Sequence, residues 1–142
     1  MPPAAEPAPI ADIASYHAHI YYDPGESRDR AARLRAWVDE RFAAQIGAWH
    51  DEPVGPHPKA MFQIAFATEI FPTLVPWLML NRLGLTVFVH PNTDNPQDDH
   101  LVHALWLGEV LKLDGTMLPR SMSAAGRTHS PVVPNTKPHA AP

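Results

Sequence analysis

The chain has 142 residues, enough for one domain with tails, and 45% of them are hydrophobic. A formal net charge of −4 with no cluster of Lys and Arg excludes a nucleic-acid-binding surface. The absence of cysteine excludes disulfides and zinc–thiolate sites, so any transition-metal site must be built from imidazole, carboxylate and water.

Residues 1–12 are rich in proline and alanine, show no apolar periodicity, and are expected to form a flexible tail. They lack the basic and apolar regions of a signal peptide. The longest apolar stretch, residues 70–80, is interrupted by Pro72 and Pro76 and is too short to span a bilayer. The expectation is a cytoplasmic protein with no membrane partner.

A folded domain is expected over residues 13–118. Ile13 to Tyr22 reads as a strand closed by Asp23-Pro24-Gly25. Side chains alternate along a strand, so His17 and His19 share one face, their Cα atoms about 6.6 Å apart, and two imidazoles at that spacing suit one metal ion. Ser27 is placed to cap a helix with apolar positions Ala31, Leu34, Trp37, Val38 and Phe42. A short strand over Gln45 to Asp51, weakened by Gly47, leads to a proline-rich loop holding His57.

Ala60 to Ala67 alternates Phe62, Ile64 and Phe66 against Met61, Gln63 and Ala65, the signature of a third strand. Phe71 to Asn81 reads as a helix with Pro72 in its first turn, Pro76 either kinking it or marking a later start. Leu85 to His90 is a fourth strand. Asp98 to Trp106 reads as helical and Val110 to Leu113 as a short edge strand. Residues 119–142 are expected to be a disordered, proline-rich tail, and His129 and His139 within it are discounted as ligands because ordering the tail costs entropy.

The order β-α-β-β-α-β is that of an α+β, ferredoxin-like split βαβ sandwich, an antiparallel sheet with its helices on one face. The first and third strands are taken here as parallel neighbours, with the fourth antiparallel beside the first. That arrangement places His90 next to His17 and His19, and brings the loop with His57 to the same end. Face parity agrees: Tyr16, Ala18, Ile20, Phe62, Ile64, Phe66, Leu85, Val87 and Val89 face the helices. His17, His19, Tyr21, Phe88 and His90 are left on the opposite face.

The segments His17-Ala18-His19-Ile20-Tyr21-Tyr22, Gly55-Pro56-His57-Pro58, Trp77-Leu78-Met79-Leu80-Asn81-Arg82, Val89-His90-Pro91-Asn92-Thr93, and Asp99-His100 through Ala104-Leu105-Trp106-Leu107-Gly108 occur in order and compactly. As a set they resemble the DOPA 4,5-dioxygenase family of extradiol ring-cleaving enzymes. The resemblance implies a homodimer that uses Fe(II) and O₂ to open the catechol ring of L-DOPA at the 4,5 bond. The product, 4,5-seco-DOPA, is the precursor of betalamic acid.

Within that reading, His17, His19 and His90 are the expected metal ligands, with Glu69 or Asp99 as carboxylate alternatives for one of them. Fe(II) is the expected ion and zinc the alternative. His57 is the expected catalytic acid/base, and an exchange of roles between His57 and His17 is the nearest rival assignment. Arg82 is assigned to the substrate carboxylate, while His103, Trp106 and Tyr21 are assigned to the catechol pocket. A metal-binding dimeric module without turnover is the alternative function.

Overall fold

The structure is a computed structural model that describes residues 6–142. Part of the expected N-terminal tail, residues 1–5, lies outside the described residues; Ile10–Asp12 forms a 3₁₀ turn.

Five strands form one sheet: β1 (Ser15–Tyr21), β2 (Gln45–Ile46), β3 (Met61–Phe66), β4 (Val87–Asn92) and β5 (Leu105–Leu107), in the order β2-β3-β1-β4-β5. Three helices accompany them: α1 (Arg28–Arg41), α2 (Phe71–Asn81) and α3 (Pro96–Leu101). The fold is α+β and ferredoxin-like. Among the described residues no helix is long and apolar enough to cross a membrane.

The face pattern follows the alternation in the sequence. Ala18, Ile20, Phe62, Ile64, Phe66, Val87 and Val89 pack with Ala31, Leu34 and Val38 of α1 and with Leu74, Val75 and Leu78 of α2. Tyr21, Met61 and Phe88 emerge on the other face and cluster with Trp106. Each fully buried aliphatic or aromatic side chain contributes about 1.5–3 kcal/mol through burial, so a one-residue register slip, which would turn all of them to the wrong face, is strongly disfavoured.

Strand direction departs from expectation. β1 and β3 are antiparallel, with Tyr21 opposite Met61 and Tyr16 opposite Phe66. The α1 crossover delivers β2 parallel to β1, and the chain then reverses before β3. β4 is antiparallel to β1, as expected, and extends two residues further, to Asn92.

Several boundaries also move. Gly47 helps limit β2 to two residues, and the pairing continues only through the Gly47 amide on the Gln63 carbonyl and an isolated bridge between His50 and Met61, among the described residues. Ser27 stands at the N-terminus of α1 but caps nothing there; its hydroxyl accepts from the Asp23 amide at 2.8 Å. α2 runs through Pro76 without a break. The segment expected as one helix over Asp98 to Trp106 divides into α3 and β5, because Trp106 pairs across from Phe88 and packs against it, ring centroids 4.3 Å apart and planes tilted by 31°. No strand forms over Val110 to Leu113.

The helices α1 and α2 cover the first face of the sheet. On the second lie α3, the loop around His57 and part of the C-terminal segment, which does not hang free. The Met122 amide donates to the Asp94 carbonyl, that of Asn135 to Ala44, and that of His139 to Glu40.

Candidate functional site

The antiparallel pairing of β1 and β4 sets His17 directly opposite His90, and period-two alternation keeps His19 on their face. One side-chain nitrogen from each of His17, His19 and His90 lies within 4.8 Å of the other two. The Nε2 atoms of His19 and His90 are 3.1 Å apart. Two nitrogens bound to one ion at about 2.1 Å, at angles between octahedral and tetrahedral, stand about 3.0–3.4 Å apart.

The surroundings prepare these rings as ligands. His90 Nδ1–H donates to the Pro91 carbonyl at 2.9 Å, which leaves the Nε2 lone pair free, the usual outer support of a ligating imidazole. His19 is 2% exposed and its Nδ1 is buried without a hydrogen-bond partner. Its Nε2 faces the lone pair of His90 Nε2, and the third nitrogen from His17 converges on the same point, a donor set that a cation would bring together. The residues present therefore fit a metal ion.

Burial lowers the pKa of every histidine in the cluster. His17 falls to about 4 through burial and then through the nearby His100 and His129 rings. His57 falls to about 4 through burial, His100, His50 and His17. His19 and His90 lie well below the ordinary value, again chiefly through burial. Neutral imidazoles are the ligating form, so no proton need be displaced at neutral pH.

Among the described residues no carboxylate joins this group. Asp99 is fully buried, but its two oxygens accept from the Thr93 amide at 2.7 Å and the Thr93 hydroxyl at 2.6 Å. Glu69 is exposed on the 3₁₀ turn after β3 and accepts from the neighbouring Thr68 hydroxyl. Three neutral ligands would leave a divalent ion with its full charge, which favours an anionic bound group.

His57 reaches the cluster by a different route from the expected one. Its loop enters β3 beside Tyr21, at the far end of β1 from His17. The loop folds back over the sheet, placing the His57 ring 4.2 Å from that of His19 and its Nδ1 2.6 Å from the Tyr21 hydroxyl. Burial raises the Tyr21 pKa, so the phenol stays protonated.

Two of the expected pocket residues stand elsewhere. Arg82 donates to the Leu85 carbonyl at 2.9 Å beyond the end of α2. Its guanidinium also packs against Gly108, which has φ +89° and where an added Cβ would come within 2.9 Å of Arg82 Nη1. His103 is exposed and lines another, largely apolar groove with Tyr16, Phe71, His90 and Leu105. Trp106 lies on the histidine side of the sheet, stacked on Tyr21 and tilted against Phe88.

A cavity of about 370 Å³ opens over the cluster, lined by His17, His19 and His57 together with His100, Arg127 and His129. The His100 ring lies 3.9 Å from that of His90, and its Nδ1–H donates to the Pro96 carbonyl at 2.7 Å. Its sequence signal was the turn ahead of it, where the Asn95 side chain accepts from the Asp98 amide and starts α3. His129 hydrogen-bonds through Nε2 to the Thr93 carbonyl. Nothing in the proline-rich composition around Arg127 and His129 signals their position.

The model of the Dopa 4,5-dioxygenase family matches residues 16–117. An uncharacterized 21.2 kDa protein of Botryotinia fuckeliana is 33% identical over 81% of this chain and 69% of its own length. The DOPA 4,5-dioxygenase of Amanita muscaria is 31% identical over 77% of the chain, which spans only 51% of that relative's length. The crystal structure of a Nostoc punctiforme protein provisionally called a dioxygenase is similar with a TM-score of 0.75 and 50% identity, covering 77% of this chain and 94% of that one.

Proposed function

The chain belongs to the Dopa 4,5-dioxygenase family, and from that premise we propose that it is an Fe(II)-dependent extradiol dioxygenase of L-DOPA or a related catechol. In this reading His17, His19 and His90 hold the ion, and the ring opens at the 4,5 bond to give a seco-DOPA-type product with both oxygen atoms of O₂ incorporated. The observation that carries the reading is the three-histidine cluster with the 3.1 Å His19–His90 approach, in a chain of this family. Ferrous iron there would supply open coordination positions and the redox capacity that O₂ chemistry needs.

The remaining work falls to the protein's own groups. His57 exchanges a proton with the catechol hydroxyl, and its hydrogen bond to Tyr21 orients the ring for that task. Turning the Tyr21 O–H between donor and acceptor roles switches which His57 nitrogen carries the proton, so Nε2 either takes or gives one. Phe88 and the loop around His57 shield the histidines from bulk water, which strengthens every polar interaction in the cavity.

Exposed Met79 and Leu80 on α2 support a homodimer as part of this reading. Sedimentation equilibrium checks it: a monomer at micromolar concentration removes the dimer. For the reaction, the protein is loaded anaerobically with Fe(II), then given air and L-DOPA. Uptake of O₂ with growth of a yellow product is expected. If the iron-loaded protein consumes no O₂ with any of several catechols, it is a metal-binding module without turnover.

A further inference from the structure

The family match ends at residue 117, yet residues beyond it, Arg127 and His129 among them, line the histidine cavity. The segment that carries them is anchored. The Asp94 carboxylate accepts from the Ser121 hydroxyl at 2.8 Å and the Ser123 amide at 2.8 Å. Met122 is buried, and the His129 imidazole is tied to the Thr93 carbonyl. Gly126, at φ +68°, takes the left-handed conformation that reverses the chain, and the Arg127 amide closes the turn onto the Met122 carbonyl at 2.8 Å.

This construction holds an arginine at the mouth of a cavity that has no acidic residue in its lining. Among the described residues the Arg127 side chain takes part in neither of the ion pairs, which are Arg28–Asp51 and Arg41–Glu40. Arg127 is thus the one permanent charge facing the cavity, and its planar fork suits a carboxylate.

We propose that Arg127 binds the carboxylate of the substrate, and that the site selects catechols bearing an acid and makes no provision for an ammonium group. The assignment rests on the dioxygenase reading and narrows its substrate class to dihydroxyphenyl carboxylic acids. L-DOPA satisfies the carboxylate requirement, but its ammonium meets no acidic side chain in the cavity lining. The role expected of Arg82 passes to a residue 45 positions later in the chain, outside the family-matched span.

The test is anaerobic calorimetric titration of the Fe(II)-loaded full chain with 3,4-dihydroxyphenylacetate, L-DOPA, 4-methylcatechol and dopamine. The acid is expected to bind tightest and dopamine weakest. In Arg127→Gln the acid loses about tenfold in affinity, as a lost, partly screened charge-assisted hydrogen bond would produce, while 4-methylcatechol changes less than twofold. Arg127→Lys restores part of the preference, and salt weakens it. Equal losses for the acid and 4-methylcatechol, no loss for either, or no catechol binding at all overturn the assignment. Arg127-dependent selection without O₂ uptake on admission of air would instead uphold it while ending the dioxygenase reading.

Discussion

The Nε2 atoms of His19 and His90 lie 3.1 Å apart although 71 residues separate them in the chain. Neither ring is free to relax: His19 is enclosed on all sides, and His90 is pinned through Nδ1 to the Pro91 carbonyl. Removing one of them should therefore remove the metal without removing the fold. For His90→Ala we expect affinity for Fe(II) to fall by more than the about 10–100-fold that loss of a mere supporting hydrogen bond costs. Chelator competition with circular dichroism in parallel checks this; unchanged metal affinity in a folded variant would take His90 off the ligand set.

Asp99 gives the opposite expectation. Its carboxylate is spent on Thr93, so Asp99→Ala leaves the Thr93 amide unpaired and should cost about 2–4 kcal/mol of stability. Metal stoichiometry should survive at temperatures where the variant is folded. Loss of the ion at full folding would mean that the carboxylate is a ligand after all.

Tyr21→Phe removes the hydroxyl that meets His57 at 2.6 Å. We expect a loss of about 1 kcal/mol in stability, and a kcat lowered more than KM is raised, with the pH profile displaced. A variant with a wild-type kcat and pH profile would separate Tyr21 from the proton-transfer step.

Acid should destabilise the metal-free protein. His17 and His57 titrate near 4 when folded, against 6.5 for an ordinary histidine. Between those values the unfolded chain binds more protons, so unfolding free energy falls as pH drops from about 6.5 toward 4. Urea midpoints at pH 7.5, 6 and 5 should decline in that order below 6.5. A flat series would show that these rings are already protonated, or already solvated, in the folded state.

These expectations rest on features of unequal visibility in the sequence. His17, His19 and His90 were legible because alternation in Tyr16–Tyr21 and Val87–His90 is a local pattern that states which side chains share a face. β3 runs antiparallel to β1 where the common topology predicts a parallel neighbour, since strand direction depends on how many times the chain reverses between strands. His57 reaches the cluster through a loop that bends back over the sheet. Arg82 stands in a matching segment, yet its guanidinium is held by the Leu85 carbonyl and packs against Gly108.

The sequence by itself determined the two faces of the sheet, the helices that cover one of them, and three histidines on the other. Period-two and period-3.6 patterns encode these through the burial of apolar side chains, which is strongly favourable and locally readable. Tertiary structure alone decided that His100 from α3 joins them, that Asp99 is engaged elsewhere, and that a proline-rich segment returns to set Arg127 and His129 over the cavity. Those outcomes rest on a few capping and anchoring hydrogen bonds at Asn95, Asp94 and Thr93. Such bonds join residues distant in sequence and leave no periodic trace in it.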